Sequence, residues 1–73
     1  MDIVITYISS NGKVEIIDTV DDVGLAHASL RNLSKHFGGR GHLGGYRSKD
    51  ILVDLDGSVS LSSDATPVVA NYG

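Results

Sequence analysis

The sequence predicts an α+β domain of ββαββ order, a small, mainly antiparallel sheet with one helix packed on one face. Three observations carry that expectation. Two runs rich in β-branched residues flank an Asn-Gly pair, a single stretch of helical periodicity follows, and a second pair of apolar runs flanks an Asp-Gly pair. The chain has 73 residues and no cysteine. It is expected to form one domain, 1–73, and a chain this short buries only about 60% of the surface its unfolded form exposes. Without cysteine, disulfides, zinc–thiolate sites and thiol catalysis are all excluded. Oligomerisation is then the expected further source of stability.

The first hairpin comes from residues 2–8 and 13–17, around Ser-Ser-Asn-Gly. Asn-Gly favours a type I′ turn, which needs φ > 0 at both central positions. A two-residue loop at Asn11-Gly12 sets Ser10 opposite Lys13, Tyr7 opposite Ile16 and Ile5 opposite Asp18. One face then carries Ile3, Ile5, Tyr7, Val14 and Ile16, and the other Val4, Thr6, Ile8 and Ile17.

Residues 19–22 supply candidate helix caps, with acids suited to the helix N-terminus. Val23, Ala26, Leu30, Leu33 and Phe37 recur at spacings of three and four, which makes one apolar stripe on a helix of roughly four turns. Gly38 is the expected stop. His27, Arg31 and Lys35 follow at i, i+4 and i+8 as a basic ridge.

Parity decides the second hairpin. A two-residue loop at Asp56-Gly57 would leave Val59 sharing a face with Asp54. A three-residue loop over 55–57, with Gly57 left-handed, pairs Val53 with Val59 and Ile51 with Leu61. Residues 68–70 can add an edge strand, and 71–73 are expected to fray.

One helix covers one face of such a sheet. Val4, Ile8, Ile17 and Leu52 are expected on the other, and an open apolar face of this kind marks an interface. A homodimer by sheet packing is the expectation; a C-terminal tail folded over the face is the alternative.

Charge is distributed unevenly. Residues 23–49 contain no acid, all three histidines and five cations, Arg31, Lys35, Arg40, Arg47 and Lys49. That segment carries +5, and Lys13 against nine carboxylates leaves −8 elsewhere, for the net −3. The two parts either neutralise each other or steer an anionic partner. Overlapping the end of that segment lies a Gly-rich basic loop, 38–50, with five glycines. Consecutive glycine amides can form an anion-binding nest, arginine grips phosphate in bidentate fashion, and aromatic rings among cations suit stacking on bases. In composition, 37–48 resembles the arginine-glycine-rich segments of RNA-binding proteins. The candidate ligand-binding residues are Gly39, Arg40, Gly41, His42, Tyr46, Arg47 and Lys49, together with Arg31 and Lys35.

Other chemistries fare worse. Residues 39–44 match G-x-G-x-x-G, but the dinucleotide fingerprint needs a strand before the glycines and a helix after them, and here the order is reversed. Neither Gly-Lys-Ser nor Gly-Lys-Thr is present for a P-loop. Asp54-x-Asp56-Gly57 lacks the flanking acids of a calcium loop and reads as turn chemistry. The histidine spacings give no metal site, and no serine stands in a G-x-S-x-G elbow. No catalytic residue, cofactor or metal is expected.

No apolar run approaches the length of a membrane span, and the N-terminal residues lack the pattern of a signal peptide. The expectation is a cytoplasmic, non-enzymatic binding module for an anionic ligand: a nucleotide, a phosphorylated small molecule or a nucleic-acid backbone. The rival is a protein–protein inhibitor that meets an acidic protein surface through the same loop or the open sheet face.

Overall fold

A computed structural model of the protein describes residues 2–37, the side chain of Phe37 excepted, and 41–69. The chain runs β1 (Ile3–Ser9), β2 (Val14–Val20), α1 (Val23–Phe37), β3 (Gly41–Arg47), a single 3-10 turn (Ser48–Asp50), β4 (Ile51–Val53) and β5 (Val59–Leu61). The α+β class is as expected. The strands divide into two antiparallel sheets, one of order β2-β1-β3 and one of β4-β5. The expected helix stop at Gly38, the end of the edge strand at Ala70 and the fraying of 71–73 lie outside the described residues.

The chief departure is β3. The segment expected as a loop over 38–50 is a seven-residue strand from Gly41 to Arg47, paired along its whole length with β1. Glycine disfavours strands because it offers no side chain to pack, so composition argued against this element. Its neighbours reverse the argument. A Cβ at Gly41 would lie 2.3 Å from the Ile8 carbonyl oxygen and 2.8 Å from the Tyr7 ring, and one at Gly45 would lie 2.8 Å from Ile3 Cγ2. These glycines are slots into which the large residues of β1 pack.

The first turn also differs in length. Ser9 pairs with Lys13 through a 2.9 Å backbone bond, and the Gly12 N–H donates to Ser9 O at 2.9 Å. The loop is therefore three residues, Ser10, Asn11 and Gly12, with Gly12 at φ +88°. Tyr7 sits opposite Glu15 rather than Ile16, one position from the expected register. The register then shifts between Ile5 and Thr6, leaving Ile17 as an extra residue, and Ile5 still meets Asp18 as expected. A bulge thus cancels the longer turn. It rotates Ile17 onto the helix side, where it packs against the core.

The second hairpin follows the parity argument: Ile51 faces Leu61, Val53 faces Val59, and Gly57 has φ +85°. Its hydrogen bonds repeat those of the first turn, with Asp54 N to Ser58 O and Gly57 N to Asp54 O, both 2.9 Å.

Helix α1 starts where its cap dictates. Asp22 Oδ1 accepts from the Leu25 N–H at 2.8 Å, and Asp22 O accepts the first helical bond from Ala26 N at 3.0 Å. That is the geometry of an N-cap residue bonding the third helical amide. Ala26 and Leu30 are fully buried with Ile3, Ile5, Leu43 and Val69, and Tyr7, Ile17, Val20, Leu33 and Val68 close over them. Val23, expected in the stripe, is exposed in the first turn.

On the opposite sheet face, Val4 is 7% exposed and Thr6 fully buried, its hydroxyl donating to Gly44 O at 3.2 Å. The chain from β5, beside β2, to Val69, bridged to Gly45 on β3, passes from one edge of the sheet to the other. The expected open interface of Val4, Ile8, Ile17 and Leu52 is therefore corrected. Val4 is buried, Ile17 belongs to the helix side, Ile8 is half-buried, and Leu52 stands 47% exposed on the other sheet.

Candidate functional site

The cations fall into two groups, and the helix decides the division. At 3.6 residues per turn, Ala28, Arg31, Asn32 and Lys35 lie on the side of α1 opposite Ala26, Leu30 and Leu33. They line a shallow, open groove of about 340 Å³. Arg31 and Lys35 stand one turn apart, a spacing that brings side chains within about 5–6 Å at Cβ. The Ala28 methyl and the aliphatic stems of the two cations supply apolar surface, with the charged heads free to reach into water. Ser34 Oγ donates to Arg31 O at 2.9 Å and so takes no part in the groove.

α1 contains no acid between Val23 and Phe37. Among the described residues, Arg31, Lys35, Arg47 and Lys49 have no carboxylate within 4 Å; the ion pair the structure does hold there, Lys13 Nζ to Glu15 Oε1 at 3.7 Å, is exposed and lies on the first hairpin. For these four residues, contact neutralisation by the acidic part of the chain does not occur.

The glycine run takes a different role from the expected nest. Gly45 N–H donates outward to Val69 O at 2.9 Å, and Gly45 O accepts from Val68 N at 2.8 Å. By strand alternation, His42, Gly44 and Tyr46 turn their backbone groups toward β1. The amides of β3 thus diverge instead of converging on one ligand. Gly39 and Arg40 lie outside the described residues.

The side chains of β3 separate as well. His42 faces Ile8 and Tyr46 faces Val4, so both project from the sheet surface away from α1. His42 is exposed and Tyr46 half-buried. The Tyr46 ring passes 3.4 Å from where a Gly44 Cβ would be, lying across that glycine. Arg47 is exposed at the end of β3, and Lys49 is exposed in the 3-10 turn. The structure brings Arg31 together with Lys35, and sets His42 and Tyr46 on the far side of a sheet from them. Ala28 and Asn32 complete the groove and were missed in the sequence. The i+3 and i+4 arithmetic that linked Arg31 to Lys35 also selects them.

The acidic turn is held by its own chemistry. Asp56 Oδ1 accepts from the Ser58 N–H at 3.0 Å and the Ser58 hydroxyl at 2.8 Å, and Asp54 Oδ2 accepts from the same hydroxyl at 3.1 Å. The bond from the Ser58 N–H, then that from its hydroxyl, hold the Asp56 carboxyl below its ordinary range. Among the described residues no three His, Cys, Asp or Glu side chains come close enough to hold a metal ion. No helix among them is long and apolar enough to cross a membrane.

No family model matches the chain, and no curated protein or solved structure is similar enough to it to be named.

Proposed function

We propose that the protein is a small non-enzymatic binding module that contacts an anionic partner through the outer face of α1. The observation that carries this reading is the groove in which Arg31 and Lys35 stand side by side without a carboxylate. Like charges at i, i+4 cost a helix about 0.2–0.5 kcal/mol. The helix dipole rewards cations in the last turn, which covers Lys35 and His36 but leaves Arg31 outside it. The helix dipole therefore gives Arg31 no partner, and an anionic ligand would supply one.

The shape of the groove narrows the partner. Small-molecule sites are concave and bury most of the ligand, whereas this groove is one open helix face. Of the expected ligands, a phosphate-bearing polymer fits better than a single nucleotide, because it can extend along the helix and meet several cations. Arg47 and Lys49 add positive charge elsewhere on the same molecule.

The test is fluorescence anisotropy with labelled single- and double-stranded oligonucleotides over a range of salt. Binding that falls linearly in log–log form with salt, and that weakens for every sequence in an Arg31→Gln, Lys35→Gln double variant, supports the reading. Equal binding by wild type and double variant rejects it.

A second reading, protein–protein contact, is favoured by one hairpin. Leu52 is 47% exposed, Val53 63%, and Leu55 fully so. Three large apolar side chains in water on one small element are suited to a protein partner.

A further inference from the structure

We propose that the groove on α1 receives the tip of the β4–β5 hairpin of a second copy of this chain, so that the protein associates with itself knob into groove. This rests on the reading of the groove as an anion site and names one partner for it.

The tip has the chemistry complementary to the groove. Residues 54–56 read Asp-Leu-Asp, with Leu55 fully exposed between two carboxylates. The groove offers two cations one turn apart, Arg31 and Lys35, with the Asn32 amide between them along the helix and apolar surface from the Ala28 methyl, one turn before Arg31, and from the stems of the cations. Each carboxylate of the tip retains oxygen lone pairs beyond those used by Ser58.

Turn geometry does not require Leu55. The two hairpins close with the same backbone bonds and the same left-handed glycine. In each, a side-chain oxygen of the middle loop residue accepts from the N–H two positions on: Asn11 from Lys13 at 3.2 Å and Asp56 from Ser58 at 3.0 Å. The first loop position is Ser10 in one turn and Leu55 in the other. The fold accepts serine there, so an exposed leucine answers to something other than the turn.

Within one molecule the two surfaces do not meet. α1 packs on β1, β2 and β3, β5 lies beside β2, and the groove points away from the sheet. Knob and groove are different surfaces, so the contact is heterologous and either propagates or closes into a ring. This replaces the sheet-face dimer expected from the sequence with a contact of charged and apolar chemistry, weakened by salt.

Sedimentation of the full chain at low salt, from micromolar to millimolar concentration, tests it. The mass of the wild type rises above the 7.7 kDa of the monomer with concentration. Leu55→Ser weakens the association by about tenfold to a hundredfold, as does an Arg31→Glu, Lys35→Glu double variant. The decisive sample mixes the two. One keeps its groove and the other its knob, so the mixture forms one-to-one pairs and nothing larger. A wild type that stays monomeric throughout, variants that associate like wild type, or a mixture that fails to pair each overturns the proposal. Leu55→Ser leaves the groove intact. If the wild type is monomeric and oligonucleotides still bind through Arg31 and Lys35, self-association alone has failed; if the mixture pairs and no oligonucleotide binds, only the phosphate-polymer reading has.

Discussion

Tyr7 and Gly41 occupy one volume between them: the Tyr7 Cζ and Oη atoms lie 2.8 Å from the point where a side chain at 41 would begin. The Ile8 carbonyl oxygen, part of the backbone of β1, stands closer still at 2.3 Å. A ring can turn aside, but a strand carbonyl cannot without breaking its ladder.

Gly41→Ala therefore destabilises the protein by about 1–3 kcal/mol, the usual cost of overpacking. At roughly 4–8 °C per kcal/mol for a domain of this size, thermal melting by circular dichroism registers the change easily. A flexible loop gives the opposite sign, since Gly→Ala at a compatible site stabilises through the unfolded chain by about 0.4–1 kcal/mol. Gly44→Ala, where the nearest atoms are at 3.4 Å, is the milder control. A Gly41→Ala protein as stable as wild type would refute the packing account of β3.

The outline of the fold was legible because its signals are local. Asp22 caps α1 from within the candidate window, Ala26 and Leu30 fall on the predicted stripe, and parity alone found the loop from Leu55 to Gly57. What escaped was set by distant neighbours. Nothing near Gly41 or Gly45 in sequence announces that Tyr7 and Ile3 need the space. Likewise Asn11-Gly12 specifies a tight turn without its length, and only the bulge at Ile17 reconciles turn and far register. The site suffered for the same reason. Arg31 and Lys35 are linked by helix geometry, which sequence shows, whereas His42 and Tyr46 were grouped with them by proximity along a chain that crosses a sheet.

The first turn offers its own test. Ser10 is the residue that makes the loop three long, while Asn11-Gly12 alone suits a two-residue type I′ turn. Deleting Ser10 keeps Ser9 opposite Lys13, so the protein folds with its strand pairing intact, and the cross-strand proximity of Tyr7 and Glu15 persists by nuclear magnetic resonance. Deleting Ile17 instead leaves Ile16 opposite Thr6 and Asp18 opposite Ile5 in an unbroken ladder, but it removes a side chain packed against the core and so lowers stability. If the first deletion unfolds the protein, the turn is not independent of the strands it joins.

The cap on α1 carries a defined cost. Asp22→Ala leaves the Leu25 N–H without its 2.8 Å acceptor and lowers stability by about 1 kcal/mol, within a range of about 0.5–2. Asp22→Asn keeps an oxygen in place and costs less. Equal melting of the two variants would show that the hydrogen bond contributes nothing.

Asp56 fixes a pH dependence in the second turn. Its carboxyl is held below the ordinary 3.8 by the Ser58 N–H and hydroxyl. A depressed folded-state value means stability that is fully present above the unfolded value and is lost as pH falls through the folded one. Carboxyl titration by nuclear magnetic resonance should find Asp56 below 3.8, and Ser58→Ala should raise it. An Asp56 that titrates at its ordinary value in wild type would contradict the hydrogen-bonded turn.

The last prediction separates the two faces that the sequence merged. If α1 alone meets a phosphate polymer, Arg31→Gln with Lys35→Gln reduces the salt slope of binding by about 2, one for each cation that no longer neutralises a phosphate. His42→Ala acts on a residue exposed on the other side of the sheet and leaves both slope and affinity as they are. Tyr46→Phe behaves the same way, since it keeps the ring that lies across Gly44. The opposite pattern, weaker binding with His42→Ala and none of it with the Arg31 and Lys35 changes, would move the site to the sheet face, where a ring and an imidazole point toward base stacking instead of backbone charge. Salt dependence distinguishes these cases without knowledge of the natural partner, because neutralising phosphates releases counterions and stacking does not.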